Sequence, residues 1–316
     1  MTITQLEYVI AVDTYKSFGI AAEKCFVTQP TLSMQIQKLE EALGVLLFDR
    51  QKKPIETTEI GQEIVEQARV VIKEHNKIKE IIKESKGKIS GNIKVGIIPT
   101  VAPYLVPLFL LKFIEKYPDV TITILELTTA NILESLKNGT IDCGILATPT
   151  HEPHMKEYPL YWEPLVAYVS KTHNLSKSST VTMDSIDMQD VWLLNDGHCF
   201  RNQIINLCHD MEKHIEKTRL DYQTGSIETL KRIVEAGQGI TFLPELVVSD
   251  FTAKQMNMVR YFRSPEPVRE IGIIVSKNFV KNRIIEAIKT EITEAVPKKM
   301  LNSSQKLILD IDVKSA

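Results

Sequence analysis

The first 58 residues carry apolar positions at the spacing of three short helices. An apolar stripe from Leu6 to Val12 predicts the first helix, and Ser17 is placed to cap a second, shorter one. Thr28 is placed to cap a third helix, which has one apolar face and one polar face. Two short helices, a tight turn and a polar-faced helix are typical of a helix-turn-helix unit, and residues 46–57 predict a short β-wing. A three-helix bundle with a solvated face is the alternative interpretation of this pattern.

A longer helical pattern follows over residues 59–88. Its apolar residues step by four and three from Ile60 to Ile82, which is the spacing of a seam that pairs with a partner helix. The part after Lys73 is rich in Lys and Glu, as is usual for a solvated helix face. We interpret this segment as a linker that also dimerises the protein.

From Asn92 the pattern changes to short buried strands that alternate with helices, which predicts an α/β domain over residues 89–296. A strand at 271–275 is expected to return to the first part of this domain. Two lobes are therefore predicted, one from 89–161 and 266–296 and the other from 162–265. Ligands in α/β sheets bind at the carboxyl ends of strands, so Thr100 and Thr129 are candidate contacts, although hydroxyls there are often only helix caps. The tail at 297–316 receives no assignment.

Composition narrows the class of protein further. The 316-residue chain has ordinary apolar and charged content, a net charge of −2 and no apolar run long enough to span a membrane. Its N-terminus carries no secretory signal, so we expect a cytoplasmic protein without a membrane partner. Glycine-rich nucleotide-binding motifs are absent from the sequence. Residues 1–60 hold six Lys and Arg against eight Asp and Glu, so overall charge does not decide whether this unit binds DNA.

Two of the four cysteines, Cys199 and Cys208, lie nine residues apart in a polar motif. His198 and Arg201 flank Cys199, and cations of this kind, together with a helix start, lower the pKa of a thiol. If the segment is helical, the two Cα atoms are roughly 13 Å apart. A disulfide needs Cα atoms within about 7 Å, so oxidation would require the helix to melt.

Three other interpretations of these cysteines stay open. Free cysteines are often small buried apolar residues, which is what we expect of the other two cysteines. A permanent structural disulfide is disfavoured in the cytosol, where thiols are kept reduced. A zinc site could form from His198, Cys199, Cys208 and His209, but adjacent ligands depart from the usual spacing, and we expect no bound metal.

The run from Phe18 to Arg50 resembles the signature of LysR-type transcriptional regulators over its whole length, and the resemblance continues to about residue 296. It implies an N-terminal winged helix-turn-helix, a linker helix and a two-lobed α/β regulatory domain similar to periplasmic binding proteins. It also implies a homodimer or homotetramer that binds double-stranded promoter DNA and acts with RNA polymerase, mainly as an activator. No enzymatic activity is expected.

The residues expected to contact DNA lie on the third helix and on the wing. Cations there position the protein on phosphates, and Gln and Thr side chains can recognise base edges. The candidate residues are Thr28, Gln29, Pro30, Thr31, Ser33, Gln35, Lys38, Arg50, Lys52 and Lys53.

Within this family, the motif from Gly197 to Gln203 together with Cys208 resembles that of the hydrogen-peroxide sensors, as do Ile98–Leu105 and Ser226–Leu230. The resemblance implies that Cys199 is the peroxidatic thiol and Cys208 the resolving thiol of a reversible disulfide that controls oxidative-stress genes. Residues implied to bind or activate peroxide are Thr100, Thr129, His198, Arg201 and Arg269. No cofactor is implied beyond the peroxide itself, and glutaredoxin or thioredoxin is the implied reductant. The alternatives are a LysR-type regulator that senses a small metabolite between the lobes, and a thiol peroxidase.

Overall fold

The computed structural model describes residues 1–85, 89–207, 224–237, 239–304 and 306–310. The chain divides into two compact units, Met1–Lys88 and Ile89–Ala316. Cys208 and His209 lie outside the described residues.

The first unit has three short helices, a two-stranded wing and a long helix. These elements are α1 (Ile3–Tyr15), α2 (Phe18–Lys24), α3 (Gln29–Leu43), β1 (Phe48–Asp49), β2 (Glu56–Thr57) and α4 (Glu59–Ser85). Ser17 caps α2 and Thr28 caps α3 through side-chain oxygens that accept from backbone N–H groups one turn on. Gly44 ends α3 in the left-handed region at φ 74°. The predicted helix-turn-helix is confirmed, with β1 and β2 pairing antiparallel as its wing.

The turn between α2 and α3 holds Phe26 in an unusual state. Its side chain is 95% exposed, and its backbone adopts a φ of 57°. Bulky residues are uncommon in this left-handed region because their Cβ crowds the following carbonyl group. The turn that leads into α3 therefore presents an exposed aromatic ring.

The second unit is built on ten strands that form one sheet among the described residues. The strands are β3 (Gly91–Ile97), β4 (Val120–Glu126), β5 (Cys143–Thr148), β6 (Met155–Val169), β7 (Thr180–Val181), β8 (Val191–Trp192), β9 (Ile240–Pro244), β10 (Val259–Phe262), β11 (Glu266–Ser276) and β12 (Lys306–Ile308). The main path runs β4-β3-β5-β11-β6-β10-β7, with β12 beside β11 and β9 between β6 and β8. The helices are α5 (Ala102–Lys116), α6 (Thr129–Lys137), α7 (Cys199–Leu207), α8 (Ile227–Glu235), α9 (Ala253–Met256) and α10 (Asn282–Ala295).

Two apolar clusters divide this sheet into two lobes, which confirms the predicted two-lobed α/β fold. One cluster surrounds β3, β5 and α5, and the other surrounds β9, α8 and the second half of β6. Strands β6 and β11 run antiparallel from one lobe towards the other, and β11 also pairs with β5 of the first lobe. The first half of β6 pairs with β11, and its second half pairs with β9 and β10.

The tail beyond residue 297, to which the pattern assigned no role, has structure of its own. A short 3-10 turn at Lys298–Leu301 is followed by β12, which pairs in parallel with the first residues of β11. Leu309 is buried in the second apolar cluster. Across the described part of the chain, no helix is both long and apolar enough to cross a membrane.

Candidate functional site

Cys199 is the first residue of α7 and lies where the two lobes meet. Gly197, at φ 92°, turns the chain just before it. The Cys199 side chain belongs to the apolar cluster of the first lobe, whereas Phe200 belongs to that of the second. Because only 8% of Cys199 is exposed, any reagent that reaches its sulfur must enter a confined space.

The environment of the Cys199 sulfur combines burial with hydrogen-bond donors. The Thr129 hydroxyl donates to Sγ at 3.3 Å. Burial raises the pKa of the thiol, while the Thr129 hydrogen bond, the positive charge of Arg269 and the backbone N–H groups of Phe200 and Cys199 lower it. Burial is the larger influence, so the pKa lies above its ordinary value. The donors nevertheless favour the thiolate once it forms.

The expectation that flanking cations lower this pKa is wrong. Burial lowers the pKa of His198, which therefore favours its neutral form and adds no fixed positive charge. Arg201 pairs with Asp196 at 3.0 Å and donates to the carbonyl of Leu194 at 3.2 Å. Arg269 is the cation that acts on Cys199, although it lies seventy residues away in the sequence. The charge that acts on the Cys199 thiol therefore comes from a distant strand and not from the residues that flank it in the sequence.

Arg269 is fixed in a fully buried network on β11. Its guanidinium donates to Glu163 Oε2 at 2.9 Å and 2.7 Å, to Thr100 Oγ1 at 2.9 Å and to the Thr100 carbonyl at 3.0 Å. It also lies 5.1 Å from the centre of the Phe200 ring. Burial raises the pKa of Glu163, and the charge and hydrogen bonds of Arg269 oppose this shift. Paired in this way, the two charges can remain in the interior, and the Thr100 hydroxyl is held in one orientation.

A small pocket borders the Cys199 side chain. It is lined by Ile98, Pro99, Thr100, Thr128, Thr129, Gly197, His198, Cys199 and Phe200. Four of the predicted peroxide-site residues therefore come together here, namely Thr100, Thr129, His198 and Cys199. Arg269 supports this pocket through Thr100 and Phe200, whereas Arg201 is directed to Asp196.

Three contributors to the site were missed in the sequence. Glu163 stands as a lone carboxylate in the apolar run of β6, and this contrast was the one signal that could have revealed it. Gly225 packs so closely that a Cβ atom would lie 2.9 Å from His198 Nε2. Gln203, fully buried on α7, donates to the carbonyl of Leu309 at 3.3 Å. Nothing in the local pattern indicates either of the last two contacts.

The candidate DNA-contacting residues lie on α3, at its cap and on the wing of the first unit. Thr28, Gln29, Pro30, Thr31, Lys38, Arg50, Lys52 and Lys53 are exposed, and Ser33 and Gln35 are half-buried. Some also have roles within the unit: Arg50 donates to Ser33 Oγ at 3.2 Å and pairs with the buried Glu40 at 2.8 Å. The Gln35 side chain accepts from Gln5 at 3.3 Å, and Lys52 pairs with Glu56.

Among the described residues, no group of three or more His, Cys, Asp and Glu side chains could hold a metal ion. The alternative zinc site includes Cys208 and His209, which lie outside that part of the chain.

Comparison with known proteins identifies the family. The model for "Bacterial regulatory helix-turn-helix protein, lysR family" matches residues 3–62, and that for "LysR substrate binding domain" matches residues 86–297. A hydrogen peroxide-inducible genes activator of Haemophilus influenzae is 35% identical over 297 residues, which cover 94% of this chain and 97% of that protein. The DNA-binding transcriptional dual regulator OxyR of Escherichia coli K12 is 35% identical over 278 residues, covering 87% of this chain and 89% of the relative.

Solved structures agree with these relatives. A full-length OxyR mutant from Pseudomonas aeruginosa has a TM-score of 0.78 and 30% identity, covering 94% of this chain and 99% of that one. A hydrogen-peroxide-bound OxyR mutant from Corynebacterium glutamicum has a TM-score of 0.63 and 29% identity, covering 93% and 92%. The chain therefore belongs to the LysR family of bacterial transcriptional regulators.

Proposed function

We propose that this regulator senses hydrogen peroxide through Cys199 and Cys208 and controls oxidative-stress genes, mainly as an activator. The observation that carries the proposal is the buried Cys199 sulfur, which accepts a hydrogen bond from Thr129 at 3.3 Å inside a pocket lined by Thr100 and His198. The hydroxyl groups of Thr100 and Thr129 and the His198 ring, which line this small pocket, are groups that can hydrogen-bond a small oxidant such as peroxide. The names of the relatives, including a peroxide-bound OxyR, support the same assignment.

The proposed chemistry begins at Cys199. Its thiolate attacks one oxygen of hydrogen peroxide, the O–O bond breaks, and the second oxygen leaves as hydroxide, which takes up the thiol proton to form water. Thr129 and the Arg269 charge stabilise the thiolate, and the neutral His198 in the same pocket can take the thiol proton and pass it to the leaving hydroxide. Thr100, oriented by Arg269, is placed to position the peroxide. The product is a sulfenic acid on Cys199.

The second step joins Cys199 to Cys208. The Cys208 thiol attacks the sulfenic sulfur, a disulfide forms and the sulfenic oxygen leaves as water. In total, two thiols supply the two electrons that reduce peroxide to two molecules of water. Glutaredoxin or thioredoxin would return the disulfide to the thiols by exchange.

The second step cannot occur while α7 is intact. The helix runs from Cys199 to Leu207, so its ends are separated by roughly 12 Å at the usual rise per residue. A disulfide requires Cα atoms within about 7 Å. Oxidation therefore has to unfold α7, and this local change is the proposed signal.

On the DNA side, we propose that a homodimer or homotetramer binds promoter DNA through α3 and the wing and acts with RNA polymerase. The apolar side chains of Ile60 and Ile78 on α4 are 43% and 61% exposed in the single chain, which supports a partner helix along this seam. We also propose the domain limits given above, with residues 59–88 as the linker.

The proposal is tested on the reduced and peroxide-treated full-length protein. Free thiols are counted, the disulfide is mapped by peptide mass, and footprints and transcription are recorded on the chain's own regulatory region. We expect two thiols lost per chain, a Cys199–Cys208 bond and a changed footprint. Cys199→Ser should abolish the change, and Cys143→Ser, a buried cysteine on β5, is the matched control. Identical footprints and transcription in both redox states would refute peroxide sensing. Sustained turnover of peroxide with a thiol reductant would indicate a peroxidase. Stoichiometric zinc in the reduced protein would overturn the redox assignment.

A further inference from the structure

The C-terminal strand β12 lies against the strand that carries Arg269. Glu266, Pro267 and Val268 of β11 pair in parallel with Lys306, Leu307 and Ile308. One residue further on, the Leu309 N–H donates to the Val268 carbonyl at 2.9 Å. Val268 directly precedes Arg269, so the strand ends beside the residue that organises the pocket. This strand follows residue 297, where the match to the family's regulatory domain ends.

The same tail residue also holds the helix that carries Cys199. Gln203 on α7 is fully buried, and its Nε2 donates to the Leu309 carbonyl at 3.3 Å. Its Oε1 has no hydrogen-bond partner among the described residues. The Leu309 side chain, 6% exposed, belongs to the apolar cluster that also contains Phe200 and Ile204 of α7. Leu309 thus joins β11 to α7 through its N–H, its carbonyl and its side chain.

This arrangement has a consequence for any reaction that unfolds α7. When the helix unfolds, Gln203 leaves Leu309, and the cluster formed with Phe200 and Ile204 opens. The attachments that remain are the three-residue pairing with β11 and a hydrogen bond from Lys306 Nζ to the Lys299 carbonyl at 2.8 Å, while the Leu307 and Ile308 side chains are 44% and 41% exposed. A strand with three paired residues and one buried side chain is suited to detach when the helix that covers this side chain is lost.

We propose that the strand formed by residues 306–309 is part of the redox site. Leu309 and Gln203 act as positioning residues that hold α7 in its reduced arrangement, and the strand is released when the Cys199–Cys208 disulfide forms. The inference rests on the proposed peroxide-sensing function. It adds a second element, outside the Cys199 pocket, that sets how readily the sulfenic acid is converted to the disulfide.

The kinetic test uses full-length variants and separates the two chemical steps. Sulfenic acid formation is followed by a dimedone-type trap in a Cys208→Ser background. Disulfide formation is followed with both cysteines present, at peroxide concentrations high enough for condensation to limit the rate. Leu309→Ser removes the buried anchor, Gln203→Met removes the amide donor at similar volume, and Leu307→Ser makes the same change on the exposed face of the strand.

We expect Leu309→Ser and Gln203→Met each to accelerate disulfide formation about five- to tenfold, as the loss of one buried hydrogen bond or anchor would. Sulfenic acid formation should be unchanged, and Leu307→Ser should behave like the parent. The double variant should be no faster than the faster single variant, because both changes remove one shared contact. Equal rates in all variants, or the same acceleration in Leu307→Ser, would refute the inference. A change confined to sulfenic acid formation would also refute it, since a merely structural effect on the pocket would give that result.

A second measurement needs no variant. Amide hydrogen exchange of the C-terminal peptide reports the Leu309 N–H that bonds Val268. We expect it to be protected in the reduced protein and to exchange at least tenfold faster after oxidation. Unchanged protection in a protein that has formed its disulfide contradicts the inference but leaves peroxide sensing intact. Failure of the parent chain to form the disulfide at all would instead overturn the proposed function.

Discussion

Replacing Thr129 by valine isolates one hydrogen bond to the reactive sulfur. The hydroxyl of Thr129 donates to Cys199 Sγ at 3.3 Å, and the side chain is 6% exposed. Valine preserves the shape and removes the donor. Helix α6 keeps its cap, because the capping side chain belongs to Thr128.

The size of the effect follows from this geometry. Hydrogen bonds to charged groups contribute about 1.5–3 kcal/mol, and the long bond to sulfur belongs at the lower end. Burial already holds the pKa of Cys199 above its ordinary value, and loss of Thr129 removes one of the groups that oppose burial. We therefore expect the thiolate population at neutral pH to fall about tenfold, since about 1.4 kcal/mol corresponds to a factor of ten.

Stopped-flow measurement of sulfenic acid formation over a range of pH, in a Cys208→Ser background, gives the result directly. The rate at neutral pH should fall about tenfold, and the pH–rate profile should move to higher pH. Thr148→Val is the matched control, because Thr148 is also a buried threonine but donates to Glu270 at 2.7 Å instead. An unchanged rate in Thr129→Val, or an equal loss in Thr148→Val, would show that this hydrogen bond does not activate the thiol.

Four further predictions concern both units. Burial raises the pKa of Cys143, so above the ordinary thiol pKa the folded state keeps a proton that the unfolded state loses, and the free energy of unfolding should fall as the pH rises. In urea titrations, Cys143→Ala should flatten this alkaline slope by up to about 1.4 kcal/mol per pH unit. An identical slope would contradict the raised pKa. Phe26→Asn should increase the free energy of unfolding by about 1 kcal/mol and so raise the thermal unfolding temperature, because Asn tolerates positive φ. An unchanged or lower unfolding temperature would argue against backbone strain at Phe26. Gln29→Ala should cost about 1–3 kcal/mol at the preferred DNA site and little on random sequence, as measured by fluorescence anisotropy; equal losses on both DNAs would remove Gln29 from base recognition. Lys52→Ala, on the exposed wing, should weaken binding to all DNAs alike and reduce the salt slope by about one, a result that an unchanged slope would exclude.

Local chemistry explains why much of the fold could be predicted from the sequence. Ser17, Thr28 and Gly44 act through their own backbone neighbours, so the helix ends they set are visible in a single stretch of chain. The start of α6 is set in the same local way by Thr128, whose side chain accepts from the Asn131 N–H, so Thr129 lies inside the helix. The site hydroxyl is therefore held by a helix rather than by a loop.

The site itself was predictable only where a motif resembles known sensors. The expected pKa of Cys199 was wrong because His198 and Arg201 were taken as its cations, whereas burial neutralises the first and Asp196 engages the second. The pairing of Arg269 with Glu163 bridges more than a hundred residues. Contacts of this range depend on how strands assemble, and they leave no periodicity in the sequence.

The two long strands β6 and β11 determine how a signal can leave this domain. Strand β6 pairs with β11 over its first half and with β9 and β10 over its second half, so a wide closing of one lobe onto the other would have to break hydrogen bonds along the sheet. In the switch proposed above, the parts that rearrange are therefore α7 and the strand beside it, while the paired sheet stays in place. The effect of oxidation on a partner would then be a change in the exposed surface around α7, and not a movement of one lobe relative to the other. Under the proposed function, a neighbouring protomer that responds to the redox state would have to touch that small area directly.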